Sequence, residues 1–158
     1  MQFGDQQIFA VEIGNYWGGS RQLREVDIWA AGHRLTYYDN CAYLPSFIHA
    51  LECEMNWLSR DGTASDFKLE NYGGKVESLH ESCNASEIWD RYRFIDYGAT
   101  TDGVIAYIFR DEEQFLITFQ FWWEYPHPDE RGRIFSVKIP KRDLLEILHQ
   151  TVSYLRLA

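Results

Sequence analysis

The chain has 158 residues, 46% hydrophobic and 16% aromatic, with a formal net charge of −9. This length suits one domain spanning residues 1–158, and the apolar content excludes disorder, which needs too few hydrophobic residues for collapse. No run reaches the ~18 apolar residues of a membrane-spanning helix, and Asp5 and Glu12 interrupt any apolar leader, so the expected location is the cytoplasm.

Residues 7–13 alternate as a strand, with Phe9, Val11 and Ile13 on one face and Ile8, Ala10 and Glu12 on the other. The stretch Gly14 to Ser20 is a glycine-containing turn. A second strand is expected over 23–31, where Val26, Ile28 and Ala30 alternate with Asp27 and Trp29, and a short third strand over 34–38. The segment 44–60 is a helix: Leu44, Phe47, Ile48, Met55 and Leu58 fall on the face of Leu51, and Pro45 sits in the first turn, where its missing N–H is harmless. From 61 to 84 the chain is polar without a clean period, with a short strand near Lys75-Val76 or a helical turn near 79–82 as the options. Residues 86–89 read equally as helix or strand.

Val104 to Arg110 and Gln114 to Trp123 are rich in β-branched and aromatic residues, joined by an Asp111-Glu112-Glu113 turn. Residues 133–139 form a further strand. Pro140 to Leu157 form a closing helix with Leu144, Leu145, Leu148, Val152 and Leu155 as its core face. The expected fold class is α+β: one mostly antiparallel twisted sheet with the helices 44–60 and 140–157 packed on one face.

No nucleophile elbow, zinc-binding HExxH, Walker loop or dinucleotide fingerprint occurs. Cys41, Cys53 and Cys83 form neither an even disulfide set nor a metal pair and read as free thiols. His49 and Cys53, four apart on a helix, have metal-ligand spacing but no third ligand nearby. His33, His80, His127 and His149 stand singly and read as turn or surface residues. No metal or other cofactor is expected.

The charge is uneven. Residues 52–113 carry fourteen acidic and six basic side chains, a net of −8, while 114–158 are close to neutral. Such a field repels nucleic acid and anionic membrane and attracts basic partners. The aromatics near 122–125 lack the basic groove that base stacking requires, so nucleic acid is not an expected ligand. The segment Trp122 to Arg131 combines aromatic and charged residues with two stiffening prolines, a composition common at interfaces.

The opening Phe3-Gly4-Asp5 and Ile8 to Ile13, the block Leu35-Thr36-Tyr37-Tyr38-Asp39-Asn40, then Tyr43-Leu44 and the helix from Phe47 to Leu58 together resemble the bacterial immunity protein 42 family. The members of that family are antidotes to polymorphic or contact-dependent toxins. The resemblance covers about the first third of the chain. It implies a protein without catalysis that binds a cognate toxin domain, of nuclease type with a basic surface, as a monomer in the complex, and blocks its active site or substrate access. Charge and exposure pattern, not the family, nominate the binding residues: Asp61, Asp66, Glu70, Asp111, Glu112 and Glu113, with Trp122, Tyr125, Asp129 and Glu130. The alternative is a small-molecule-binding or hydrolytic α+β domain whose aromatic sheet lines a pocket. A deep cavity with buried carboxylates favours that alternative.

Overall fold

The structure, a computed structural model, describes residues 1–60, 69–83, 92–122 and 128–157. Its strands fall into two antiparallel sheets, where the sequence suggested one. The first sheet contains β1 (Gln2–Asp5), β2 (Phe9–Tyr16), β3 (Leu23–Ala30), β4 (His33–Arg34) and β5 (Cys41–Tyr43). Their order is β1-β2-β3-β4, with β5 also pairing with β3. The second sheet runs β6-β7-β8-β9: β6 (Arg93–Phe94), β7 (Val104–Asp111), β8 (Gln114–Phe121) and β9 (Ile134–Pro140). Three α-helices are described: α1 (Leu44–Ser59), α2 (Val76–Cys83) and α3 (Lys141–Leu157).

Alternation sets the first sheet. Phe9, Val11 and Ile13 pair across the register with Ala30, Ile28 and Val26, and all six are buried. A one-residue slip would expose them all, so the register is strongly specified. The expected strand at 34–38 is only two residues long. Beyond it the chain follows the edge of β3 with irregular backbone, bonding through Leu35 N–H to Ile28 O and Val26 N–H to Asn40 O before β5 resumes regular pairing.

The two sheets share one core. Phe9, Val11, Ile28 and Phe47 belong to the same buried cluster as Phe94, Ile117, Phe119 and Leu148. Helices α1 and α3 pack on each other and complete it. The buried face of α3 is Leu144, Ile147, Leu148, Thr151, Val152 and Leu155; Leu145, expected inside, is half-buried.

A second, smaller cluster explains why one sheet was not enough. Leu79 packs with Tyr107, Phe109 and Leu116 on the other face of the β7–β8 hairpin. That hairpin is therefore covered on both faces, and its aromatic residues pack into both clusters, Phe115 and Phe119 into the first and Tyr107 and Phe109 into the second. The covering element is α2, at the position where the sequence left strand and helical turn open. His80, read from sequence as a turn or surface residue, is 1% exposed and lies 4.8 Å from the Tyr107 ring. It occupies the same stripe as Val76 and Leu79, the spacing of a core position. Residues 86–89 lie outside the described residues.

One glycine is required by packing. Gly4 has φ of +90°, and a Cβ there would lie 2.3 Å from the Phe9 carbonyl oxygen and 2.7 Å from Ile147 Cδ1. Only glycine lets α3 close over the β1–β2 hairpin.

Candidate functional site

The nominated residues that are described lie in separate parts of the fold. Asp111, Glu112 and Glu113 form the two-residue turn and its flank between β7 and β8, with Asp111 opposite Gln114. Glu112 takes φ of +56°, a left-handed conformation unusual for a residue with a Cβ. Asp111 Oδ2 accepts from Lys138 Nζ at 2.5 Å, so one of the three charges is locally answered. Glu112 and Glu113 are exposed.

Trp122, Asp129 and Glu130 lie at the opposite end of β8. An eight-residue strand separates the two groups by ~24 Å. Trp122 is 46% exposed, and its indole N–H donates to the Asp102 carbonyl oxygen at 2.7 Å. It lines a cleft of about 510 Å³ with Arg93, Asp96, Asp102, Val104 and Ile105. Asp129 is exposed in a 3-10 turn (Pro128–Glu130). Glu130 is half-buried, and its Oε2 is 3.6 Å from Nδ1 of His33 on β4. His33 is not a plain turn residue either, since its ring lies 4.1 Å from that of Phe135. Glu70 is exposed in another 3-10 turn (Leu69–Tyr72), beside the second core. Asp61, Asp66 and Tyr125 lie outside the described residues.

Sequence reasoning missed one half-buried acid. Glu54 on α1 accepts the Ile95 N–H on Oε1 at 2.9 Å and the Tyr97 hydroxyl on Oε2. Its carboxyl is enclosed, and burial pushes its pKa up to about 8. Burial also raises the Tyr97 hydroxyl well above its ordinary value, and the adjacent Glu54 adds to the effect. The signal was legible: Glu54 is three residues after Leu51 and four before Leu58, inside the apolar stripe, and a polar residue at a core position is the informative exception.

A raised carboxyl at the edge of a cleft of about 280 Å³, lined by Cys53, Trp57, Arg93 and Asp96, is what a hydrolytic site would require. Here, however, both carboxyl oxygens are engaged by the protein. Ile95 has φ of +59°, so Glu54 braces a strained turn between β6 and the 3-10 turn Gly98–Thr101. That assigns it a structural role. His49 Nε2 and Cys53 Sγ are 3.6 Å apart on the surface of α1, and no group of three metal-capable side chains occurs among the described residues. Among those residues, no helix is long and apolar enough to cross a membrane.

A further groove combines acids with an apolar floor. It measures about 310 Å³ and runs between the β1–β2 turn and the start of α3. Asp5, Asp143 and Glu146 stand on its rim, and Ile8, Ile139 and Ile147 contribute to its floor. None of these residues was nominated from sequence. Their signal was distributed over both ends of the chain.

No family model and no curated protein sequence matches this chain. Among solved structures it is similar to CdiI from Burkholderia dolosa AUO158, with a TM-score of 0.64 at 11% identity, covering 98% of this chain and 99% of that one. The two proteins share a fold from end to end.

Proposed function

We propose that this protein is an immunity protein that binds and neutralises a cognate toxin domain by occlusion, without chemistry of its own. The observation that carries this reading is the end-to-end likeness to CdiI, the immunity protein of contact-dependent growth inhibition systems. Fold alone does not fix function. Two features of the chain add support: a resemblance of its first third to immunity protein 42, and acidic side chains on exposed turns. In this reading it acts in the cytoplasm, as a monomer in the complex, on a nuclease-type toxin with a basic surface. The exposed Glu70, Glu112 and Glu113 steer the encounter, as complementary charge does. Trp122 and Asp129, with Asp61, Asp66 and Tyr125, Asp111 and the half-buried Glu130, complete the contact set proposed from sequence. Among the described members, Asp111, Glu112 and Glu113 lie at one end of β8 and Trp122, Asp129 and Glu130 at the other, so a toxin engaging both groups must span the length of that strand.

The test is co-expression with the toxin encoded immediately upstream. A stable complex and restored growth are expected. If no toxin is encoded there, or the two proteins neither associate nor restore growth, the immunity reading fails.

A further inference from the structure

The Phe3-Gly4-Asp5 block that opens the chain builds one wall of the acidic-rimmed groove, and this role is separate from the core packing that accounts for Phe3. We propose that the groove receives one long basic side chain, an arginine in the first instance, carried by the partner toxin domain. The proposal rests on the immunity reading for the identity of the partner, and on the groove itself for the chemistry of the occupant.

Shape gives the first half of the argument. The groove has about 310 Å³, with Ile8, Pro140 and Ile147 presenting apolar surface to it above the buried Phe9 and Ile139. That volume is at the lower end of ligand-sized pockets and suits a single side chain. Ile8 is 36% exposed in an otherwise polar turn of Asp5, Gln6 and Gln7. Such a floor matches the methylene stem of an arginine or lysine, which packs along apolar surface with its head group in a polar setting.

Charge gives the second half. Asp5 stands on one side, and Asp143 and Glu146 on the other, three apart on α3. Like charges at that spacing disfavour a helix slightly, and Glu146 lies beyond the turn where the helix dipole compensates. Each carboxylate has one oxygen engaged within the protein. Asp5 Oδ1 accepts the Gln7 N–H at 2.9 Å, and Glu146 Oε1 accepts from Gln150 Nε2 at 3.1 Å. Asp143 Oδ1 accepts from Arg142 Nη2 at 3.1 Å and Nε at 3.2 Å. Arg142 is 88% exposed, so this contact is a weak, replaceable surface pair. The remaining oxygens form an acceptor rim. An uncharged apolar occupant would desolvate them without compensation, and an acidic one would be repelled. A guanidinium fork over a buried stem satisfies both halves of the site. The β7–β8 turn lacks this combination: it has charge, one part of it already engaged by Lys138, and it does not line the groove.

Two measurements separate the groove from the function. In the first, N-acetyl-arginine methylamide is titrated into the wild-type protein and followed by amide shifts. Weak saturable shifts confined to residues 4–8 and 143–150 are expected, with a Kd of order ~10 mM, as for a single side chain without its protein. Absence of localised shifts overturns the groove as an arginine site. In the second, the upstream-encoded toxin domain is bound to wild type, to Asp143→Lys/Glu146→Lys, and to Glu112→Lys/Glu113→Lys. The groove pair should weaken binding at least ~10-fold, chiefly through faster dissociation, whereas the turn pair should act on association. Thermal melts establish that each variant is folded, and Ile8→Ala, which removes floor without adding charge, should weaken binding in the same direction. A toxin complex unaffected by all groove variants overturns the proposal while leaving the immunity reading intact. Localised arginine shifts without any toxin complex would overturn the immunity reading and the toxin as occupant.

Discussion

Replacing Gly4 with alanine tests how the fold closes. A Cβ at this position would meet the Phe9 carbonyl oxygen at 2.3 Å and Ile147 Cδ1 at 2.7 Å, on a backbone with φ of +90°. Holding a non-glycine residue in that region costs ~1–3 kcal/mol, and overpacking a filled site costs a further ~1–3 kcal/mol. The lower entropy of an unfolded alanine chain adds ~0.4–1 kcal/mol to the mutant's stability when the site is compatible, and far less than the strain when it is not. The net loss should be ~3 kcal/mol, a large part of the ~5–15 kcal/mol available to a domain. Urea unfolding should show a lower midpoint with an unchanged slope, because the surface exposed on unfolding is the same. Ile147→Val partitions the loss. Valine lacks the Cδ1 atom, so it relieves the contact with α3 and leaves the contact with the Phe9 carbonyl. Gly4→Ala should therefore cost ~1 kcal/mol less in the Ile147→Val background than in wild type. A loss below ~1 kcal/mol for Gly4→Ala, or a coupling of zero, would refute the claim that α3 closure excludes a side chain here.

Two groups titrate in opposite senses. Glu54 is raised from 4.5 to about 8, so its contribution is complete below pH 4.5 and is lost as pH rises towards 8. His80 is lowered by burial from 6.5 to about 4, so its contribution is complete above pH 6.5 and is lost as pH falls towards 4. The slopes oppose each other between pH 4.5 and 6.5, and above 6.5 that of Glu54 is the one of the two that persists. Wild-type stability should thus fall by ~2 kcal/mol from pH 6.5 to 8, and equilibrium unfolding of Glu54→Gln should show the decline abolished; an unchanged decline would remove Glu54 as its source. Charge reversal at Glu112 and Glu113 should lower the toxin association rate in stopped flow by about tenfold at low salt and far less at high salt; equal rates would remove this turn from steering. Glu112→Asn should raise the thermal midpoint, with a gain of ~0.5–1 kcal/mol, because asparagine tolerates the left-handed φ of +56° better than glutamate; a lower midpoint would show that the glutamate side chain stabilises the turn.

The strands and long helices were legible because each carries one clean period. β2 and β3 alternate, α1 keeps its apolar stripe, and the β7–β8 turn is marked by three successive acids between aromatic runs. The division into two sheets was not legible, because alternation states which face is buried and not which strand lies alongside. Aromatic residues on both faces of β8 were consistent with a pocket until α2 was seen to cover one of them. That helix was obscure for a local reason: eight residues with His80 inside its buried stripe give too few apolar positions to establish a period. The candidate surface was legible in part. Exposed acids at a turn announce themselves, but Asp5 and Glu146 are 141 positions apart, and their meeting across a groove depends on the antiparallel return of α3 over the first hairpin.

The likeness to CdiI at 11% identity separates what this fold must keep from what it can change. A core built on alternation accepts many apolar residues of suitable size, so two sequences can share the scaffold while differing at most positions. Exposed substitutions away from caps and turns typically change stability by within ~0.5 kcal/mol, which leaves Glu146 free of the scaffold's demands, whereas Asp5 accepts the Gln7 N–H within the first hairpin turn and Asp143 sits in the first turn of α3. Gly4 is in the opposite position: it lies in the wall of the same groove, yet a side chain there obstructs the contact between α3 and the hairpin. The depth of the groove is thus tied to folding, while the charge that Glu146 places on its rim is not. A protein of this fold facing a different partner can alter position 146 at little cost to stability and keep the groove, so recognition there is carried by a residue that the core leaves unspecified.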